Sequence, residues 1–108
     1  MSSPRITEEL LNRVEEHLDA ILEQQALPLL MQAGERAMLA RLRSGSTTRQ
    51  DIEFYLHELI EAAKFRRTGD LKNAHQEALQ FRGVTERDLF HPDVIRQYPE
   101  LFPYNWRE

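Results

Sequence analysis

The chain has no cysteine among its 108 residues. Thiol nucleophiles, cysteine-ligated zinc fingers, iron–sulfur clusters and disulfides are excluded together. The redox compartment stays open, because a thiol-free chain suits the cytosol and an export route equally well. Long apolar runs are also missing. The longest, Ala26 to Met31, contains Pro28, whereas a membrane span needs about 20 such residues. The N-terminus carries no basic-then-apolar leader, so the expectation is a soluble chain, cytoplasmic as encoded and secreted only as part of a larger carrier. Positive charge is not in surplus: fourteen Lys and Arg face eighteen Asp and Glu, for a net charge of −4. A broad electrostatic grip on nucleic acid is therefore not the default, and a nucleic-acid partner stays an open question. Period-two alternation and Asn-Gly or Asp-Gly hairpin signals are lacking, which argues against a sheet. There is no Gly-rich phosphate loop and no G-x-S-x-G elbow, and Ser2, Ser3, Ser44 and Ser46 fall in termini or turns.

What is present is helical. Leu10, Leu11, Val14, Leu18, Ile21 and Leu22 recur at three- and four-residue steps, with Glu8, Glu9, Glu15, Glu16 and Asp19 opposite. Thr7 supplies an N-cap, and Pro28 ends or kinks the helix. A second helix is expected from Leu29 to Arg43, closing at Ser44-Gly45. Thr48, with Asp51 three residues on, opens a third. Its buried stripe is expected to be Ile52, Tyr55, Leu56, Leu59, Ile60 and Ala63. Asp70 caps a fourth over Leu71 to Arg82, which stops at Gly83. His91 before Pro92 reads as one more N-cap.

The fold expected is all-α: one domain over residues 1–108, a bundle of about four main helices with a short helical tail. Residues 1–45 form an N-terminal helical pair, and 46–108 hold the motif-bearing helices and the tail. That tail carries Phe90, Tyr98, Phe102, Tyr104 and Trp106. It is expected to lie across a groove and finish the core, the alternative being a docking patch.

Four residues attract chemistry. Glu53, His57 and Glu61 are spaced by four and so share one helix face, with Glu58 about a hundred degrees round. His57-Glu58-Leu59-Ile60-Glu61 resembles the zinc-protease string H-E-x-x-H with glutamate in place of the second histidine. His57 and Glu61 could share a metal ion. The competing reading is a solvated face on which Glu61 pairs with His57 or Lys64. His75 lies between Ala74 and Ala78 on the next helix. If the two helices pack antiparallel across Thr68-Gly69-Asp70, it comes level with Glu58 to Glu61. Metal sites in bundles are assembled this way, although a core histidine satisfied by a carboxylate is the commoner case. His17, flanked by Glu16 and Asp19, reads as surface.

The order Phe54-Tyr55-x-His57-Glu58-Leu59-x-Glu61-Ala62, Ala74-His75-x-x-Ala78-Leu79, Gly83-Val84, Leu89-Phe90-His91-Pro92-Asp93-Val94-Ile95 and Asn105-Trp106-Arg107 resembles one known arrangement. It is similar to C-terminal segments of bacterial polymorphic toxins of the RHS-repeat and filamentous-haemagglutinin type, over roughly residues 51–107. The resemblance implies a small toxic domain, often a nuclease or other hydrolase, with a cognate immunity protein as partner. It implies an active-site set of His57, Glu58, Glu61 and His75. On the enzyme reading Glu58 is the general base, and His57, Glu61 and His75 are metal ligands or proton carriers around a divalent ion. The alternative is a non-catalytic interaction, immunity or regulatory module, including a homodimer paired through the first helix.

Overall fold

The computed structural model describes residues 4–107, and Ser2 and Ser3 lie outside them. Five α-helices form: α1 (Glu8–Gln25), α2 (Ala33–Arg43), α3 (Arg49–Thr68), α4 (Leu71–Arg82) and α5 (Pro92–Gln97). Short 3-10 turns cover Leu29–Gln32, Glu86–Leu89, Pro99–Leu101 and Tyr104–Arg107. No strand occurs among the described residues, so the chain is an all-α bundle. None of these helices is long and apolar enough to cross a membrane.

The caps lie where the sequence asks for them. Thr7 Oγ1 accepts from the Leu10 amide at 3.2 Å, and Thr48 and Asp51 exchange both bonds of a capping box. Asp70 accepts from the Asn73 amide at 3.1 Å. His91 Nδ1 accepts from the Asp93 amide at 3.0 Å, which gives His91 its structural role. Gly69 and Gly83 close α3 and α4 in the left-handed region.

Two expectations need correction here. α1 is stopped not by Pro28 but two residues earlier, where Ala26 turns left-handed at φ 52° and Leu27 N–H donates to Leu22 C=O. The helix expected over Leu29 to Arg43 starts only at Ala33. Leu29, Leu30 and Met31 are exposed, so no packing stabilises a full first turn. The chain closes instead into the tighter 3-10 form after proline, with Met31 N–H donating to Pro28 C=O.

α3 is the central rod, packed against α1, α2, α4 and the Glu86–Leu89 turn. The apolar core gathers Leu11, Val14 and Leu18 from α1, Met38, Leu39 and Leu42 from α2, and Phe54 and Tyr55 from α3. Leu89 and Val94 close it. The phase of α3 differs from the expected stripe. Its innermost residues are Asp51, Phe54, Tyr55, His57, Glu58 and Glu61, while Ile52, Leu56, Leu59 and Ile60 are half-buried and Ala63 is exposed. A helix surrounded on several sides packs its apolar flanks against neighbours and can still turn a polar face inward.

The tail helps finish the core as expected, with Phe90, Tyr98 and Phe102 packed against it. Phe90 and Phe102 meet edge to face with centroids 4.8 Å apart, and Trp106 stacks on Phe102 at 5.7 Å. Gly34 makes room for this trio: a Cβ there would stand 2.7 Å from Phe102 Cζ. Tyr104 remains outside, 79% exposed.

Candidate functional site

Three elements press ionisable groups onto the inner face of α3. α1 contributes His17, which follows Val14 by three residues and lies on the same buried face as Leu18. Its ring stands edge-on to Phe65. α4 contributes His75, brought close because Ala74 and Ala78 are small and fully packed. The Glu86–Leu89 turn adds Glu86 from outside. α3 itself supplies His57, Glu58 and Glu61, which are 1%, 5% and 3% exposed. The reading of a solvated acidic face is thus overturned: Glu61 does pair with His57, but in the interior.

Glu61 is the hub. Its Oε1 lies 2.7 Å from His17 Nε2. Its Oε2 lies 3.0 Å from His57 Nε2 and 2.7 Å from His75 Nδ1. Those two nitrogens are themselves 3.1 Å apart. The second nitrogen of His75, Nε2, reaches Glu86 Oε1 at 2.9 Å. Glu58 is different. Among the described residues it accepts no hydrogen bond, and His57 Nε2 approaches its carboxylate only to 3.7 Å. His57 Nδ1 is buried and has no partner among the described residues.

This geometry divides the charges. Burial works against ionising Glu61, but hydrogen bonds from His17, His57 and His75 outweigh it and hold the carboxylate far below its usual range. Glu58 lacks such donors. Burial, then repulsion from Glu61 and Glu35, pushes it well above the ordinary value. Glu35 of α2 is raised as well, chiefly by burial. His75 is pushed up to about 9, first by Glu61 and then, against the opposing effect of burial, by Glu86.

His57, Glu58, Glu61, His75 and Glu86 open onto a cavity of about 520 Å³, also lined by Gln32, Glu35 and Phe54, with His17 behind them. Two sets of metal-ligand type lie within 4.8 Å of mutual reach: His57, Glu61 and His75, and His17, Glu58 and Glu61. In the first set the three facing atoms form a triangle with edges of 2.7, 3.0 and 3.1 Å. An ion bonded at about 2.0–2.2 Å holds neighbouring ligand atoms about 2.8–3.6 Å apart from octahedral to tetrahedral geometry, so two edges fit and the 2.7 Å edge would open slightly on binding. Protons satisfy it poorly, since two N–H groups both aimed at one oxygen leave the N···N edge repulsive.

His57, Glu58, Glu61 and His75 come together, and three participants, His17, Glu35 and Glu86, were not expected. His17, read as surface, is 5% exposed and bonded into the cluster. The signal for it was the spacing of Leu10, Val14, His17 and Ile21, which continues the apolar stripe. Glu35 had no such signal. Glu53, expected on the face of His57 and Glu61, instead pairs with Arg82 at 2.7 Å, and Lys64 pairs with Glu77 at 3.5 Å. Comparison with protein-family models, with curated proteins and with solved structures gives no match.

Proposed function

We propose that the chain is a small toxin-type helical hydrolase, a metal-assisted nuclease in substrate class. A divalent ion would be held by His57 Nε2, His75 Nδ1 and Glu61 Oε2, with Glu58 as general base. The observation that carries this reading is the triangle of three ligand atoms beside a buried, undonated carboxylate in one cavity.

The chemistry follows from those roles. The metal would polarise a phosphodiester oxygen and lower the pKa of a bound water. Glu58 faces the same hollow, and burial with repulsion from Glu61 and Glu35 raises its proton affinity, the direction expected of a general base. Glu86 orients His75 through its far nitrogen, as an outer carboxylate orients a metal-bound histidine.

The test is hydrolysis of plasmid DNA and RNA by chelator-treated protein to which Mn²⁺ or Zn²⁺ is returned. Metal-dependent cleavage, lost at least 100-fold in Glu58→Gln while metal is still bound, is the expected result. Equal cleavage with and without metal would remove the reading. In cells, growth arrest by the wild type but not by Glu58→Ala tests the toxin setting and the need for an immunity partner.

One observation favours a second reading, a non-catalytic interaction module. Leu29, Leu30 and Met31 stand 61%, 69% and 51% exposed beside one another. Light scattering tests this directly. A monomer unchanged at high concentration removes the homodimer.

A further inference from the structure

We propose that the site is a two-metal centre in which Glu61 is the bridging carboxylate. Oε2, His57 and His75 would hold one ion, and Oε1, His17 and Glu58 the other. This rests on the metal reading above, extends it from one ion to two, and moves Glu58 from general base to ligand, with water on the ions as the nucleophile.

The two oxygens of Glu61 already face opposite ways, each toward imidazole nitrogen. Oε1 meets His17 from α1, and Oε2 meets His57 from α3 and His75 from α4. A carboxylate shared in this manner spans two ions about 3.5–4 Å apart, the separation found in two-metal hydrolytic sites. Each half then has its own ligand set, and the second set, His17, Glu58 and Glu61, is entirely buried.

Glu58 supplies the independent observation. It is 5% exposed, faces the cavity and accepts no hydrogen bond among the described residues. Its nearest basic neighbour is His57 Nε2 at 3.7 Å, so the carboxylate costs stability unless cavity water or a positive charge meets it. With an ion beside His17 Nε2 and Glu61 Oε1, that partner is supplied.

Charge points the same way. With the carboxylates ionised and the histidines neutral, Glu35, Glu58, Glu61 and Glu86 set against Lys72 bring three net negative charges to one cavity. A single divalent ion leaves the cluster with one negative charge, which repels a phosphodiester. Two leave it with one positive charge, which attracts one. Mixed imidazole and carboxylate donors suit manganese, iron or zinc.

The experiment is titration of chelator-treated, full-length protein with Mn²⁺ alone, read by bound-metal analysis and electron paramagnetic resonance. Two equivalents are expected, with the isolated-ion signal of the first replaced by a spin-coupled spectrum on binding the second. His17→Ala and Glu58→Gln, each checked for a cooperative melt, should bind one equivalent and show no coupling. His17→Gln replaces His17→Ala if the alanine variant fails to fold. A single equivalent in the wild type overturns the second ion and leaves the one-metal reading standing. No binding overturns both. Two uncoupled equivalents that persist in the variants place the second ion elsewhere and overturn the bridge.

Discussion

His17 Nε2 donates to Glu61 Oε1 at 2.7 Å across forty-four residues of sequence, with both side chains almost completely buried. The contact ties α1 to α3 through a charged group, with the Phe65 ring packed edge-on against His17. Glu61 also serves His57 and His75. One carboxylate therefore fixes three imidazoles from three helices.

Removing that carboxylate should be costly even without metal. In Glu61→Leu, His17 and His57 keep buried N–H groups with no acceptor. Urea denaturation of chelator-treated protein should show a loss of about 3 kcal/mol, the scale for breaking a buried charged pair. A loss below about 1 kcal/mol would show the network to be weak.

Glu58 should behave in the opposite sense. Its carboxylate has no donor to lose, so Glu58→Leu exchanges an undonated polar group for apolar contact with Phe54 and Leu18. Metal-free stability should rise by about 1 kcal/mol or more, while metal binding weakens. A gain in stability paired with a loss of binding marks a residue kept for its chemistry.

Glu86→Ala tests the outer contact on His75. Glu86 is exposed, so the fold should melt unchanged. Metal affinity should fall about 10- to 100-fold, because His75 loses the group that orients its ring. Calorimetric titration with Mn²⁺ reads the difference.

Gly34→Ala should lower the melting temperature despite alanine's better helix propensity. The added Cβ meets Phe102 Cζ at 2.7 Å, and that ring is held between Phe90 and Trp106. Overpacking of this kind costs about 1–3 kcal/mol, against a propensity gain of about 1 kcal/mol. Gly34→Ala with Phe102→Leu should recover part of the loss.

Acid stability should depend on Asp51. Burial alone would raise its pKa, but Arg41 and Thr48 donate to it and together hold it below the ordinary value. A depressed folded-state pKa gives stability that is present above about pH 4 and lost as pH falls through the lower folded value. Asp51→Asn should be less stable at pH 7 and flatter as the pH falls below about 4. Equal slopes in both proteins would discount the pair.

How much of this was legible depends on distance along the chain. Helix ends were readable because caps are local: Thr7, Thr48, Asp70, Gly69 and Gly83 act within a few residues of themselves. His57 and Glu61 were legible from their spacing, and His75 from the short turn that sets α4 beside α3. His17 was obscured by Glu16 and Asp19, although its place among Leu10, Val14 and Ile21 marked the inward face. Glu35 was not legible, since its approach depends on how α2 crosses α3, and no local pattern encodes that crossing. The phase of α3 was misread for a related reason. Periodicity assigns one apolar side to a helix, and this one is enclosed by neighbours on several sides.

The hairpin at Thr68-Gly69-Asp70 separates the cluster's contributors unevenly. His17, Glu35, His57, Glu58 and Glu61 precede it, and His75 and Glu86 follow. Scission of the backbone at that exposed loop would part His75 from His57 and Glu61 but leave His17, Glu58 and Glu61 on one fragment. The His57–Glu61–His75 triangle would return only on reassociation, so in a nicked chain any metal bound there would report fragment complementation.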